Sequence, residues 1–186
     1  MLHTWSSLLS TGLIFLSIGL LLAASLHDII ARTVPNWTAL SLAALGCALR
    51  ALDGNLTGGL LAGLLVFVVA ALCWRRHWLG GGDVKLIAAA AITVPPSTVI
   101  PFIVAVSLAG SVLALLYLIG RRLVRAPAHE RPHSLIGRAL RVERWRIRRG
   151  GPLPYACAIA AGGLFTLIPY ACAIGAGGMF LVRQAS

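Results

Sequence analysis

Acid–base chemistry in this 186-residue chain has few places to reside, because its only acidic residues are Asp28, Asp53, Asp83, Glu130 and Glu143. Asp28 and Asp83 border long apolar runs, where an ionisable group is costly to keep and is a functional candidate by default. The bland alternative is that each is a solvated helix cap. Two carboxylates sharing one site do not easily both ionise. One would keep a proton that the other lacks, and their protons would titrate as a property of the pair.

The surroundings of Asp83 allow chemistry as readily as a flexible loop with Asp83 as N-cap of the next helix. It follows Gly80-Gly81-Gly82 and precedes Val84-Lys85-Leu86 and a run of alanines. Three glycines give up packing and helix propensity, so the backbone there must bend sharply or admit another chain closely. Lys85, two residues on, is expected to point away from Asp83 on a helix and to anchor at the membrane interface. Asp28 is followed by Pro35 and Asn36 before the next apolar run. Pro35 is expected to fix the chain where it re-enters the membrane, with Asn36 as helix N-cap. Asp53, beside Gly54-Asn55, reads as a turn residue outside any site.

The elements that must position these residues are membrane helices. The chain is 59% hydrophobic and 11% charged, with a mean hydropathy of +0.89, well outside the range of soluble domains. Spans are expected near 6–26, 37–52, 57–74, 97–119 and 152–182. The run Val84–Val94 is about half a membrane thickness and is closed by Pro95-Pro96, so it should be a short or tilted helix. The last segment exceeds one membrane thickness and has Pro169 near its middle, which allows either one kinked helix or two short ones. The expectation is therefore an all-α, polytopic integral membrane protein of about six transmembrane helices, forming one membrane-embedded domain over 1–186. With only His3 ahead of the first apolar run, a cleaved secretory signal is not expected.

Charge orients the helices. Of the fifteen arginines, ten crowd between Arg121 and Arg149. Together with Arg32, Arg75, Arg76 and Lys85 they fall on one side of a six-span arrangement, leaving Arg50 and Arg183 opposite. The positive side is expected to be the cytoplasm, which puts both Asp28 and Asp83 at the cytoplasmic boundary. The same placement argues against a nucleic-acid partner for the formal charge of +11. Within 121–150, apolar and arginine faces separate, which favours a basic helix lying on anionic lipid over a solvated loop. The four cysteines form no C-x-x-C pair and read as packing residues, so neither metal nor cofactor is expected. A ten-residue repeat, Pro154–Gly163 and Pro169–Gly178, together with Gly59-x-x-x-Gly63, reads as small-residue strips for close helix packing, or simply as Ala/Gly bias.

Gly80-x-Gly82-Asp83-Val84-Lys85-Leu86 resembles the GxGD signature of type IV prepilin peptidases. Asp28 with Pro35-Asn36 seven and eight residues later resembles that family's first catalytic motif. The likeness covers roughly residues 10–120, and the Pro154-Tyr155 region resembles the family's closing segment. It implies a membrane aspartic endopeptidase with Asp28 and Asp83 as catalysts and Gly80, Gly82, Lys85, Pro35 and Asn36 in support. The substrate would be a prepilin or pseudopilin, with a basic leader and a hydrophobic helix, cut after a glycine at the cytoplasmic face of the bacterial inner membrane. The chain lacks the Cys-x-x-Cys zinc loop and the methylation-linked insertion of the long form, so it is similar to the short, peptidase-only form found with tight-adherence (Flp-type) pili. Homo-oligomerisation stays open. Two other readings compete. Presenilin-like or signal-peptide-peptidase-like intramembrane proteases share GxGD but pair it with Tyr-Asp, where this chain has His27-Asp28. A non-enzymatic scaffold or transporter subunit would use its aspartates as caps or proton carriers.

Overall fold

The computed structural model describes residues 2–123 and 153–185. All regular structure among them is helical: α1 (Leu2–Ala31), α2 (Asn36–Leu52), α3 (Leu56–Arg75), α4 (Gly81–Thr93), a 3-10 turn (Pro96–Thr98), α5 (Val99–Leu123) and α6 (Tyr155–Ala185). Trp5–Ala31, Leu56–Arg75, Pro96–Leu123 and Tyr155–Ala176 are long and apolar enough to cross a membrane, and their outward faces expose residues such as Leu8, Leu61, Ile100 and Phe165. The protein is an all-α polytopic membrane protein. Six α-helices form among the described residues; α2, at 17 residues, and α4, expected to be short, at 13, fall below the length of the other four. The basic helix expected within 121–150 lies outside the described residues beyond Leu123.

Helix α4 is the axis around which the bundle is built. It packs on α2, α3 and α6, and its residues Val84 and Leu86 to Ala91 are buried. Small residues let backbones approach, and in lipid this van der Waals packing is what holds helices together. Ala88 to Ala91 supply that surface on α4. On the facing helices, a Cβ added at Gly46 of α2 would lie 2.9 Å from the Thr93 backbone nitrogen, and one at Gly63 of α3 would run into the Ile92 side chain. Gly59 likewise closes on the stem of Arg50. The Gly59-x-x-x-Gly63 strip is thus a packing surface. Pro95, extended at φ −55° and ψ 140°, follows Val94 and stops α4 as its position in sequence predicts.

Helix α6 runs unbroken through Pro169, which decides between the two expectations for the last segment in favour of one helix. In the first repeat copy, added Cβ atoms at Gly162 and Gly163 would meet Val106 of α5 and Leu21 of α1. In the second, a Cβ at Gly175, the counterpart of Ala160, would meet nothing within 4 Å, while Ala171 is buried. The cysteines are free, and the Ser25 hydroxyl donates to Cys157 Sγ at 3.1 Å, consistent with a packing role.

Candidate active site

The site forms where the end of α1, the α1–α2 turn and the starts of α4 and α6 converge. Asp28 lies in the last turn of α1 and is buried at 6% exposure. Its Oδ2 accepts the backbone N–H of Ala156, 3.3 Å away, in the first turn of α6. Those early N–H groups have no partner within their own helix, and the helix N-terminus carries partial positive charge. A carboxylate is the group that suits such a position. Beyond Asp28 the chain turns through Arg32, which adopts left-handed backbone at φ 56° while its N–H bonds back to the Asp28 carbonyl at 2.8 Å. The Arg32 guanidinium donates to the Tyr117 hydroxyl of α5 at 3.0 Å, and the Thr33 carbonyl lies 2.7 Å from His27 Nδ1. These contacts hold a turn that a non-glycine residue enters only at a cost.

Asp83 lies in the first turn of α4, with extended Gly80 as N-cap. The Gly80 backbone N–H donates to the Asp83 carboxyl. That is the cap-like contact which sequence allowed, and it favours the charged form. Burial outweighs it, and the charge of Asp28 adds to burial: the Asp83 pKa is raised from 3.8 to about 7. A simple helix cap would be shifted the other way.

The glycines are explained one by one. A Cβ on Gly80 would stand 2.7 Å from Asp83 Oδ2, so glycine leaves room for the carboxyl to fold back over its own N-cap. A Cβ on Gly82 would stand 3.1 Å from the Val34 Cβ, so glycine lets the α1–α2 turn close on α4. The intervening Gly81 has only ordinary contact, 3.4 Å from Trp74 Nε1.

Two supporting residues behave differently from expectation. Asn36 is not an N-cap. Pro35 takes that position with φ −60° and ψ 140°, and Asn36 is the first residue of α2. Its Oδ1 instead accepts the Lys85 ammonium at 3.0 Å, while Thr38 Oγ1 donates to the Pro35 carbonyl at 2.7 Å. Lys85 points away from Asp83 as predicted, but its partner is this amide, so the two motifs are tied together a second time.

Asp53 is more than a turn residue. At the far end of α2, about 25 Å from Asn36 by helix rise, it pairs with Arg50 at 2.9 Å and accepts the Tyr170 hydroxyl of α6 at 2.6 Å. Arg50, only 2% exposed, also donates to Tyr170 at 3.2 Å and stacks on its ring. The sequence reading missed this cluster. The (i, i+3) spacing of Arg50 and Asp53 is the signal that could have found it. Among the described residues no group of three or more His, Cys, Asp or Glu is placed to hold a metal ion.

Comparison with known proteins identifies the family. No curated protein and no solved structure matches the chain. The model of the type IV leader peptidase family matches residues 14–115, more than half the chain, from within α1 to within α5 and including both aspartates, the α1–α2 turn and the glycine run. The chain belongs to the type IV leader peptidase family and is a membrane-bound peptidase.

Proposed function

We propose that this peptidase is of the aspartic type, with Asp28 and Asp83 as its catalytic pair, and that it removes the leader from prepilin-like substrates. The observation that carries the reading is electrostatic: residues 28 and 83, far apart in sequence, lie near enough that the charge of Asp28 raises the pKa of Asp83. Such a pair holds one proton between two carboxyls, which is what peptide hydrolysis by water requires.

In this reading the ionised aspartate takes a proton from water as the water oxygen attacks the scissile carbonyl carbon. The protonated aspartate donates to the carbonyl oxygen. The resulting gem-diol collapses with cleavage of the C–N bond, and a proton passes to the leaving nitrogen, so the pair ends with the one proton it started with. Asp83, with its pKa near 7, is the natural holder of that proton. Asp28, already accepting the Ala156 N–H, is the natural base. Gly80, Gly82, Pro35, Asn36 and Lys85 support the pair by setting its turns and linking them.

The substrate is a prepilin or pseudopilin of the Flp type, cut after a glycine between a basic leader and a hydrophobic helix. The reaction takes place at the cytoplasmic face of the bacterial inner membrane. The positive residues Arg32, Arg75, Arg76 and Lys85, on the side that carries the pair, support this orientation. The test is to co-express the chain with a candidate prepilin and determine the pilin N-terminus by mass spectrometry for wild type, Asp28→Asn and Asp83→Asn. Trimming after glycine by wild type only is the expected result. Trimming that persists in either variant removes that residue from the catalytic pair.

A further inference from the structure

Two apolar grooves run down the flanks of α4, and helix periodicity distinguishes them. Residues three or four apart share a helix face. Asp83 and Ile87 are four apart, and Ile87 lines a groove of about 460 Å³ between α3 and α5. Lys85, Ala88, Ala89 and Ile92 share another face and line a groove of about 540 Å³ between α2 and α3. A chain lying in the first groove is led to a carboxyl. One lying in the second is led to an ammonium group.

The first groove is also where the wall around α4 is thin. Helix α4 packs closely on α2, α3 and α6, whereas α5 packs on α6 and the 3-10 turn. Val69 of α3 and Val104 of α5 flank the gap and are exposed to what surrounds the protein. At its upper end stands Tyr155, whose ring rests on Gly110 and which is close enough to Asp83 for their charges to interact. Leu79, which immediately precedes Gly80, also lines the groove. Leu79 and Tyr155 thus bring one end of the groove to the neighbours of Asp83, Val69, Ile100 and Val104 leave its flank exposed, and both cavities are of the size of ordinary binding clefts.

Resting on the peptidase reading, we infer that the groove between α3 and α5 seats the apolar helix that follows the scissile bond of the substrate. The helix enters sideways from the bilayer, with Ile87 and Tyr155 as the residues that guide its leading end to Asp83. Both linings are almost wholly apolar, and what separates them is the charge at the mouth: an uncharged helix matches the groove without a cation, whereas the Lys85 ammonium, which donates to Asn36 Oδ1, matches an anionic lipid headgroup at the other.

The test is site-specific photo-crosslinking in membranes. A photoreactive residue is placed at Val69 or Val104, or at Leu40 or Leu64 in the other groove, in the full chain carrying Asp83→Asn, and again with Asp28→Asn. Each is co-expressed with the prepilin, and cleavage by the wild-type chain is followed in parallel. Crosslinks from Val69 and Val104 to substrate residues downstream of the cut, several-fold above those from Leu40 and Leu64, are expected. Cleaving wild type combined with crosslinks only from Leu40 and Leu64, or from neither groove, overturns the inference and leaves the peptidase reading standing. Failure of the wild-type chain to cleave overturns both.

Discussion

Replacing the three consecutive glycines singly by alanine separates geometry from flexibility, and the structure assigns each a different outcome. At Gly80 the backbone is extended with φ −72°, which alanine adopts freely, so restricting the unfolded chain should leave stability unchanged or raised by about 0.4–1 kcal/mol. The new Cβ would nevertheless stand 2.7 Å from Asp83 Oδ2. Ordinary contact begins near 3.4 Å, so the carboxyl must move by roughly 0.7 Å, and a displacement of about 1 Å at a reacting group costs on the order of a hundredfold. Gly80→Ala should therefore lose about ten- to a hundredfold in the rate of leader removal with the protein still folded. Gly81→Ala meets only ordinary contact at Trp74 and gains helix propensity of up to about 1 kcal/mol, so it should retain activity. At Gly82 the Cβ crowds Val34, and a larger residue such as leucine should lose stability and activity together. The assay is the initial rate of cleavage of a purified prepilin in detergent, with thermal unfolding measured on the same samples. If Gly81→Ala loses as much activity as Gly80→Ala, the glycines serve flexibility and the contact argument is wrong. If Gly80→Ala cleaves at the wild-type rate, Asp83 does not work from the position seen here.

Asp83 titrates near 7, so cleavage should fall as pH rises through that value and the pair loses its proton; a rate that keeps rising beyond pH 8 would contradict this. The same raised pKa means that the stability it contributes is fully present below the unfolded value near 4 and is lost as pH rises through about 7, and Asp83→Asn should flatten that part of a melting-temperature profile. Arg50→Met removes a buried guanidinium from Asp53, which is itself partly exposed and can turn to water, so the loss in thermal unfolding should be about 1.5–3 kcal/mol, and Arg50→Met with Asp53→Leu should recover part of it.

Much of this arrangement is legible in the sequence because membrane chemistry narrows the choices. Three of the five acids, Asp28, Asp53 and Asp83, lie beside apolar runs, and Asp28 and Asp83 are singled out because the charge distribution puts both on one side and because their surroundings resemble the two family motifs. The short helix α4 is legible because Gly80–Gly82 and Pro95-Pro96 bracket its apolar run. What is hidden are partners that leave no mark on residue identity. The donor to Asp28 is the backbone N–H of Ala156, which any residue but proline would supply. Val34 matters only because the fold brings it onto Gly82. Asn36 has the propensity of a cap, but its neighbour Pro35 is already extended, and Lys85 competes for the amide oxygen; the tertiary contact overrides the local preference.

Arg50 shows the same limit from the other side. Counted as an orienting charge it is, with Arg183, one of two cations on the far side, yet it is nearly inaccessible and is the centre of a cluster that holds α6. The repeat spacing of fifteen residues explains how one helix serves both ends. Fifteen residues rise about 22 Å and return to within roughly 60° of the same face, so Tyr155 stands near Asp83 while Tyr170 reaches Asp53 and Arg50. A slide of α6 by one residue, about 1.5 Å, would break the 2.6 Å bond from Tyr170 to Asp53 and carry the Ala156 N–H away from Asp28 together. The bond to Asp28 is buried and has no water to replace it, so the distant cluster helps to fix the register of the helix that supports the catalytic end. Arg50→Met should for this reason slow cleavage in the fraction that stays folded, and restoring stability by a change elsewhere should not restore that rate.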